Sequence, residues 1–290
     1  MADHKKIDEV TGVETTGHVW DDDLQELNNP MPKWWLYIMY ASIIWSIGYM
    51  VAYPAWPLAA DYTRGVLGYS QRQVVMDQVA AGKAAQAKFR DAIAQAELNE
   101  IQQNPELLEF ALAGGAAAFG GNCAPCHGRG AQGFKGYPNL NDDDWIWGGD
   151  LEAVHTTIRH GIRNADEDSR QSDMPKFGQE QLLEKAQIND VAEYVLSLSG
   201  AATDQEAVGR GAAIFAEQCS SCHGENGAGN AELGAPNLAN GIWLYGGDKT
   251  DVVQSIHTGR GGVMPPWHTR LDDVTLKQLA VYVHSLGGGQ

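Results

Sequence analysis

The pattern of hydrophobic and polar positions changes twice along this chain. Residues 34–53 form a run of 20 without a charged side chain. At about 1.5 Å of rise per residue the run makes roughly 30 Å of helix, enough to cross the hydrocarbon core of a bilayer. Trp34, Trp35 and Tyr37 lie at one end and Tyr49, Tyr53 and Trp56 at the other, the placement of interfacial aromatic belts. A cleaved signal peptide fits poorly, because the preceding 33 residues form a long acidic head and not a short basic one. A helix buried in a soluble core would carry more polar positions. The run is therefore expected to be an uncleaved transmembrane helix, left at Pro54 and Pro57.

Beyond it the pattern turns amphipathic. Residues 54–106 form a linker whose larger part, 61–106, is rich in Ala, Gln, Lys, Arg and Glu. Val74, Val75, Val79, Phe89 and Ile93 stand there at helical spacing. One or two helices are expected, acting as a spacer or packing against a partner, since no metal ligand or catalytic pair lies there.

From residue 107 the chain repeats itself. Gly115-x-x-x-Phe119 and Gly211-x-x-x-Phe215 precede Cys-x-x-Cys-His at the same interval. Pro138-Asn139-Leu140 then matches Pro236-Asn237-Leu238, and Trp145 to Asp150 matches Trp243 to Asp248. Met174-Pro175 matches Met264-Pro265, and Val191 to Val195 matches Leu279 to Val283. So many landmarks in one order mean duplication. Each unit, 107–200 and 206–287, reads as a small helical domain. A first helix ends at the cysteine motif, a Gly- and Asn-rich loop and short helices lead to Met-Pro, and an amphipathic helix (about 187–198 and 273–286) closes the unit. The glycine of Gly-x-x-x-Phe lets the first helix approach the last, setting Phe119 or Phe215 against Tyr194 or Tyr282. No strand is signalled.

The four cysteines all lie in Cys123-Ala-Pro-Cys126-His127 and Cys219-Ser-Ser-Cys222-His223. This is the spacing of covalent haem c attachment, two thiols on the haem edge and the adjacent histidine on the iron. Zinc knuckles, a disulfide pair or a thioredoxin-like motif would give no reason for a histidine after each pair. Two haem c groups, on Cys123 and Cys126 and on Cys219 and Cys222, with His127 and His223 as iron ligands, point to electron transfer.

The repeated unit resembles class I cytochrome c over residues of roughly 110–200 and 206–287. That resemblance implies an all-α fold, a transmembrane helix followed by two tandem cytochrome c domains, and a downstream methionine as the second iron ligand. Met174 and Met264 are the only methionines after the first motif, and a proline stiffens each loop. Spacing leaves open whether each serves the haem of its own unit. His155, His160, His257, His268 and His284 could compete, but the repeat pairs His160 with Thr258 and His257 with Arg159, so they are read as surface or supporting residues. The resemblance also implies that the carbonyls of Pro138 and Pro236 accept a hydrogen bond from the iron-bound histidines. Leu140 and Leu238 should pack on the haem face, between walls made by Trp145, Trp147, Trp243 and Tyr245. About eight extra residues precede the first methionine, within 162–173. They read as a solvated loop, a docking surface or a contact between units.

A net charge of −17 excludes nucleic-acid binding through a basic surface. The acidity is spread over both repeats, where it either attracts a basic partner or serves solubility. Basic residues flanking the apolar run are too few to set its orientation. Haem c attachment outside the bacterial cytoplasmic membrane does so, placing 1–33 in the cytoplasm and the repeats in the periplasm.

With a tail, one membrane helix and two such domains, the chain is similar to FixP/CcoP-type subunits of cbb3-type cytochrome c oxidase. Trp20 to Trp35 resembles that family's acidic Glu-Leu-Asn-Asn-Pro-x-Pro-x-Trp-Trp entry to the membrane, although Trp20-Asp21-Asp22-Asp23-Leu24 departs from the usual Tyr or His-Asp-Gly-Ile. The resemblance implies that a donor cytochrome c gives an electron to one haem. The electron then passes through a monohaem subunit to the haem–copper subunit that reduces oxygen and moves protons, so this chain is no enzyme on its own. A dihaem peroxidase would need an open iron face, against which the paired Met-Pro positions argue. A free-standing membrane-anchored shuttle or redox sensor is the other alternative.

Overall fold

The computed structural model describes residues 6–287, which fall into two compact units, Met1–Ala84 and Ala85–Gln290.

In the first unit, strands β1 (Thr15–Trp20) and β2 (Leu24–Leu27) form an antiparallel hairpin that the sequence reading did not foresee. Asp21 and Asp22 carry its turn at φ 49° and 72°, the left-handed backbone that tight hairpin turns need and that Asp tolerates. What read as an acidic tail is therefore partly a turn. Helix α1 (Lys33–Ala52) covers the uncharged run and is long and apolar enough to cross a membrane. None of its side chains is buried in the protein. Its two serine hydroxyls turn inward on the backbone, Ser42 Oγ to Met39 O at 2.8 Å and Ser46 Oγ to Ser42 O at 2.7 Å, which satisfies them without water. Trp45, Tyr49 and Tyr53 stack in sequence, with ring centroids 5.4 and 4.7 Å apart. Helix α2 (Gln71–Ala85) buries nothing, so Val74, Val75 and Val79 stay exposed.

The second unit is helical throughout: α3 (Ala87–Gln95), α4 (Leu98–Gln103), α5 (Pro105–Asn122), α6 (Ala124–His127), α7 (Leu151–His160), α8 (Lys185–Leu198), α9 (Gln205–Gln218), α10 (Ser220–His223), α11 (Lys249–Thr258) and α12 (Asp273–His284). The starts are written in the sequence. Asn104, Asp150, Asp204 and Asp272 each accept a hydrogen bond from the backbone of the first turn they precede, and Pro105 takes the first position of α5, where its missing N–H costs nothing.

The helices enclose two hydrophobic cores, and each core draws on both repeats. One joins Ala111 and Phe119 of α5 and Leu151, Val154 and Ile158 of α7 to Leu276, Leu279, Ala280, Val281 and Val283 of α12, with Ile93, Leu98 and Ile101 from the linker. The other joins Ile188, Val191, Ala192, Val195 and Leu196 of α8 to Phe215 of α9 and Val252 and Ile256 of α11, with Phe177 and Leu183. The expectation that each repeat is closed by its own last helix is thus corrected: α12, the end of the second repeat, closes the first core, and α8, the end of the first, closes the second.

The physical reason lies in the connections. Only residues 199–204 separate α8 from α9, and so short a link favours packing the two as antiparallel neighbours. Both helix pairs use the same close approach. A Cβ on Gly115 would fall on the Gln278 carbonyl and Tyr282, and one on Gly211 on the Asp190 carbonyl and Tyr194. Phe119 meets Tyr282 with centroids 5.5 Å apart, and Phe215 meets Tyr194 at 5.0 Å. The linker is divided as well. Beyond α2 it is no spacer, because α3 and α4 cover the first core, Ile93 and Ile101 being wholly buried.

Candidate functional site

Each cysteine motif forms one short helical turn continuing the helix before it. His127 N donates to Cys123 O at 2.9 Å and His223 N to Cys219 O at 3.0 Å. Both sulfurs of a pair therefore lie along one turn, with the histidine directly after them. The four thiols are unpaired, and Cys126 and Cys222 are exposed. Burial, aided by the neighbouring thiol, pushes Cys123 and Cys219 up to about 11, so both are protonated at neutral pH. Protonated thiols are poor zinc ligands and poor redox nucleophiles. Among the described residues, no cysteine converges with two further metal donors.

His127 Nδ1 lies 3.0 Å from Pro138 O, and His223 Nδ1 lies 3.0 Å from Pro236 O. A carbonyl can only accept, so each Nδ1 carries the proton and each Nε2 keeps a free lone pair, the form that binds a metal. Burial lowers both imidazole pKa values, with the carbonyl bond opposing it, which favours the neutral ring.

Both motifs open into one continuous cavity of about 740 Å³. Its walls hold Cys123, Cys126, His127, Pro138, Leu140, Trp145, Trp147 and Met174 from the first repeat. From the second come Cys219, Cys222, His223, Pro236, Leu238, Trp243, Tyr245 and Met264. Every residue singled out in the sequence for haem binding lines it. Of the described histidines, only His127 and His223 do.

The methionines follow the exchange of helices. Met264 packs on the core that holds Phe119 and Cys123, whereas Met174 packs on the core that holds Phe215 and Cys219. Met264 and Ile162 bond to one another through both N–H groups, each at 2.9 Å. Gly161, ending α7 at φ 71°, leaves room for the Met264 carbonyl, and Gly259, ending α11 at φ 59°, does the same for the Met174 carbonyl. Any side chain at either glycine would strike the methionine loop of the other repeat.

Insertion 162–173 proves to be a contact between repeats. Arg163 donates to Gly262 O at 3.0 Å, and the Asn164 side chain donates to Met264 O at 2.8 Å. Sequence reasoning missed the two arginines in the cavity wall, Arg163 and Arg260, whose guanidinium groups lie 5.9 Å from the Trp147 ring centre and 4.7 Å from that of Tyr245. Their signal was an arginine within two residues of the glycine ending α7 and α11.

These surroundings fit haem c. The imidazoles are neutral with Nε2 free, each motif shares a core with a thioether, and the walls are aromatic and aliphatic. Trp145 Nε1 is a buried donor with no partner in the protein, the kind of group that a propionate satisfies, and two cationic side chains stand in the same wall.

Comparison with known proteins agrees along the whole length. Residues 12–60 match the N-terminal domain of cytochrome oxidase-cbb3, FixP, residues 112–199 match cytochrome c, and residues 206–283 match cytochrome c oxidase, cbb3-type, subunit III. The chain is 56% identical to the cbb3-type cytochrome c oxidase subunit FixP of Azorhizobium caulinodans over 288 residues, 99% of this chain and 97% of that one. It is 54% identical to subunit CcoP of Azospirillum brasilense over 293 residues, 99% of each, and 50% identical to subunit CcoP of Cereibacter sphaeroides over 277 residues, 95% of each.

Proposed function

The chain belongs to the FixP/CcoP family of cbb3-type cytochrome c oxidase subunits, and from that membership we propose that it is a membrane-anchored two-haem electron carrier feeding an oxygen-reducing centre. Cys123 and Cys126 hold one haem c covalently, and Cys219 and Cys222 hold the other. His127 and Met264 bind the first iron, and His223 and Met174 bind the second. What carries this crossed pairing is the packing of each methionine on the core of the opposite repeat's cysteine motif.

Haem c, when bound, supplies a one-electron ferric–ferrous couple. The protein's own contribution is positional. Pro138 and Pro236 fix the tautomer and plane of each histidine ring. Pro175 and Pro265 stiffen the loops that present the thioethers, a soft ligand that raises the potential. Leu140, Leu238 and the tryptophans exclude water, so that little surrounding structure has to reorganise when charge arrives. With His127 and Met264 holding one iron and His223 and Met174 the other, the chain would carry electrons and would not be an enzyme on its own.

Within the oxidase, a donor cytochrome c delivers the electron. The monohaem subunit receives it and passes it to the haem–copper subunit, which reduces oxygen and translocates protons. The acidic surface of both repeats suits a basic donor. Residues 1–33 lie in the cytoplasm, 34–53 span the inner membrane, 54–106 link, and the units 107–200 and 206–287 lie in the periplasm, where haem is attached.

Purification in mild detergent tests the reading. The chain should copurify with copper and b-type haem and retain two haems after denaturation, by haem staining and mass. Isolation free of such partners would return it to a free-standing shuttle. One haem or none would end the proposal.

A further inference from the structure

Three metal-donor side chains meet at the insertion, and the electron-transfer site uses none of them. His160 is the last residue of α7, Asp166 lies in the insertion, and His268 follows Met264 by four positions. Asp166 Oδ1 accepts from His160 Nδ1 at 3.0 Å, and its Oδ2 accepts from His268 Nε2 at 2.5 Å. The ring centroids are 5.5 Å apart, and one donor atom from each residue lies within 4.8 Å of the others. The side chains are 19%, 12% and 32% exposed, enclosed yet within reach of an ion from solvent.

The loop is held in this shape independently of the cluster. The Asn164 side chain donates to His160 O at 2.9 Å and to Met264 O at 2.8 Å, and its Oδ1 accepts from Asp166 N at 2.8 Å. Ser169 Oγ accepts from Asn164 N at 3.2 Å. Three separate segments thus present two imidazoles and a carboxylate to one point.

We propose that His160, Asp166 and His268 form a divalent-metal site of the zinc type, distinct from the haem irons, which clamps the insertion of the first repeat to the methionine loop of the second. Two imidazole nitrogens and one carboxylate oxygen are a donor set of tetrahedral zinc with one position left for water or a fourth ligand. Asp168 Oδ2, 3.9 Å from His160 Nδ1 and largely exposed, is within reach of that position. Calcium and magnesium prefer all-oxygen shells, which two nitrogen donors do not provide. The two histidines hold the Asp166 carboxyl down to about 2, so it stands ready as an anion in a chain already strongly negative. To take the metal, each imidazole moves its proton to its other ring nitrogen. The nitrogen–oxygen separations then open to roughly 3.3 Å, as ligand bonds of about 2.0–2.1 Å at tetrahedral angles require. No ligand is shared with the haem sites, so the proposal stands or falls apart from the electron-transfer reading.

The test uses the full-length two-haem protein in detergent, stripped by a chelator and titrated with Zn2+ against a chromophoric competitor. One equivalent should bind, with a nitrogen and oxygen shell at about 2.0–2.1 Å by zinc X-ray absorption. Asp166→Asn and His268→Gln should each weaken binding at least about tenfold, the lower end of what losing even an outer-shell partner costs. The reduced haem spectrum, unchanged in both variants, reports that they fold, and His160→Gln replaces either one that does not. Equal Zn2+ affinity in wild type and variants overturns the proposal. So does a first shell of oxygen alone, which would put the metal on surface carboxylates.

Discussion

The two cores carry the same chemistry on different scaffolds. The core around His223 is built from one stretch of chain, Met174 through Ile256, with a tight α8–α9 hairpin at its centre. The core around His127 is assembled from the linker helices, the front of the first repeat and the last helix of the second. Its seams are fastened by Arg90 to Asp272 at 2.7 Å and by Lys277 Nζ to the carbonyls of Ile93, Ala94 and Ala96 at 3.2, 3.2 and 2.6 Å. The second core has its own clasp, Arg210 of α9 to Asp190 of α8 at 2.8 Å, and in addition an ion pair whose carboxylate is buried. Glu193 Oε1, wholly buried, lies 2.8 Å from Lys249 Nζ and accepts from Thr203 Oγ1 at 2.9 Å. The matching position of the first core is Val281. A duplicated site can thus keep its ligands while contiguity and polarity of the surrounding core diverge.

The sharpest way to break this comparison is to end the chain after residue 262. That removes Met264 and four large buried α12 side chains, Leu276, Leu279, Val281 and Val283, each worth about 2 kcal/mol, against a total stability of roughly 5–15 kcal/mol. The first core should unfold while the second survives as a haem-stained, protease-resistant fragment containing 174–260. If the second core is lost instead, the exchange is wrong.

Single methionines give the next largest effect. With Cys219 and Cys222 both changed to Ala, so that only the first haem is attached, Met264→Ala should abolish the thioether-to-iron band and admit carbon monoxide, whereas Met174→Ala should do neither. Truncating a partly buried methionine costs about 2–3 kcal/mol in addition. Gly115→Ala and Gly211→Ala come next. A Cβ at either pushes apart one helix pair, costing about 1–3 kcal/mol. Thermal melts followed in the haem bands should show each substitution lowering one core only.

The smallest effect separates the cores by pH. The Lys249 ammonium holds the Glu193 carboxyl down to about 2 from its ordinary 4.5, reinforced by the Thr203 and Asp204 bonds against burial. Its stabilisation is therefore present above pH 4.5 and lost as pH falls towards 2. Glu193→Gln should destabilise the second core by about 1.5 kcal/mol at neutral pH and by nothing in strong acid, leaving the first core unaffected throughout. Melting temperatures measured across that range check it.

Much of this architecture was legible in the sequence. Uncharged length marked α1, and repeated landmarks marked the two cavity walls, whereas the Asn and Asp caps went unread. The pairing of halves was not legible, because Gly115 and Gly211 read alike, as do Tyr194 and Tyr282. Identical interface letters cannot say which partner is chosen; loop length does, through the short 199–204 link. The hairpin at 15–27 was hidden because three consecutive aspartates look like charge and not like a turn. The insertion was ambiguous because its hydrogen bonds go to backbone atoms of Gly262 and Met264, which leave no pattern in the letters.

The exchanged closing helices also impose an order of events on biosynthesis. A ribosome delivers the His127 motif well before α12, so the first pocket stays open on one side until that helix follows. The second needs nothing beyond α11. A prematurely released polypeptide would therefore carry a finished site and a gaping one, and the gaping one is the earlier made.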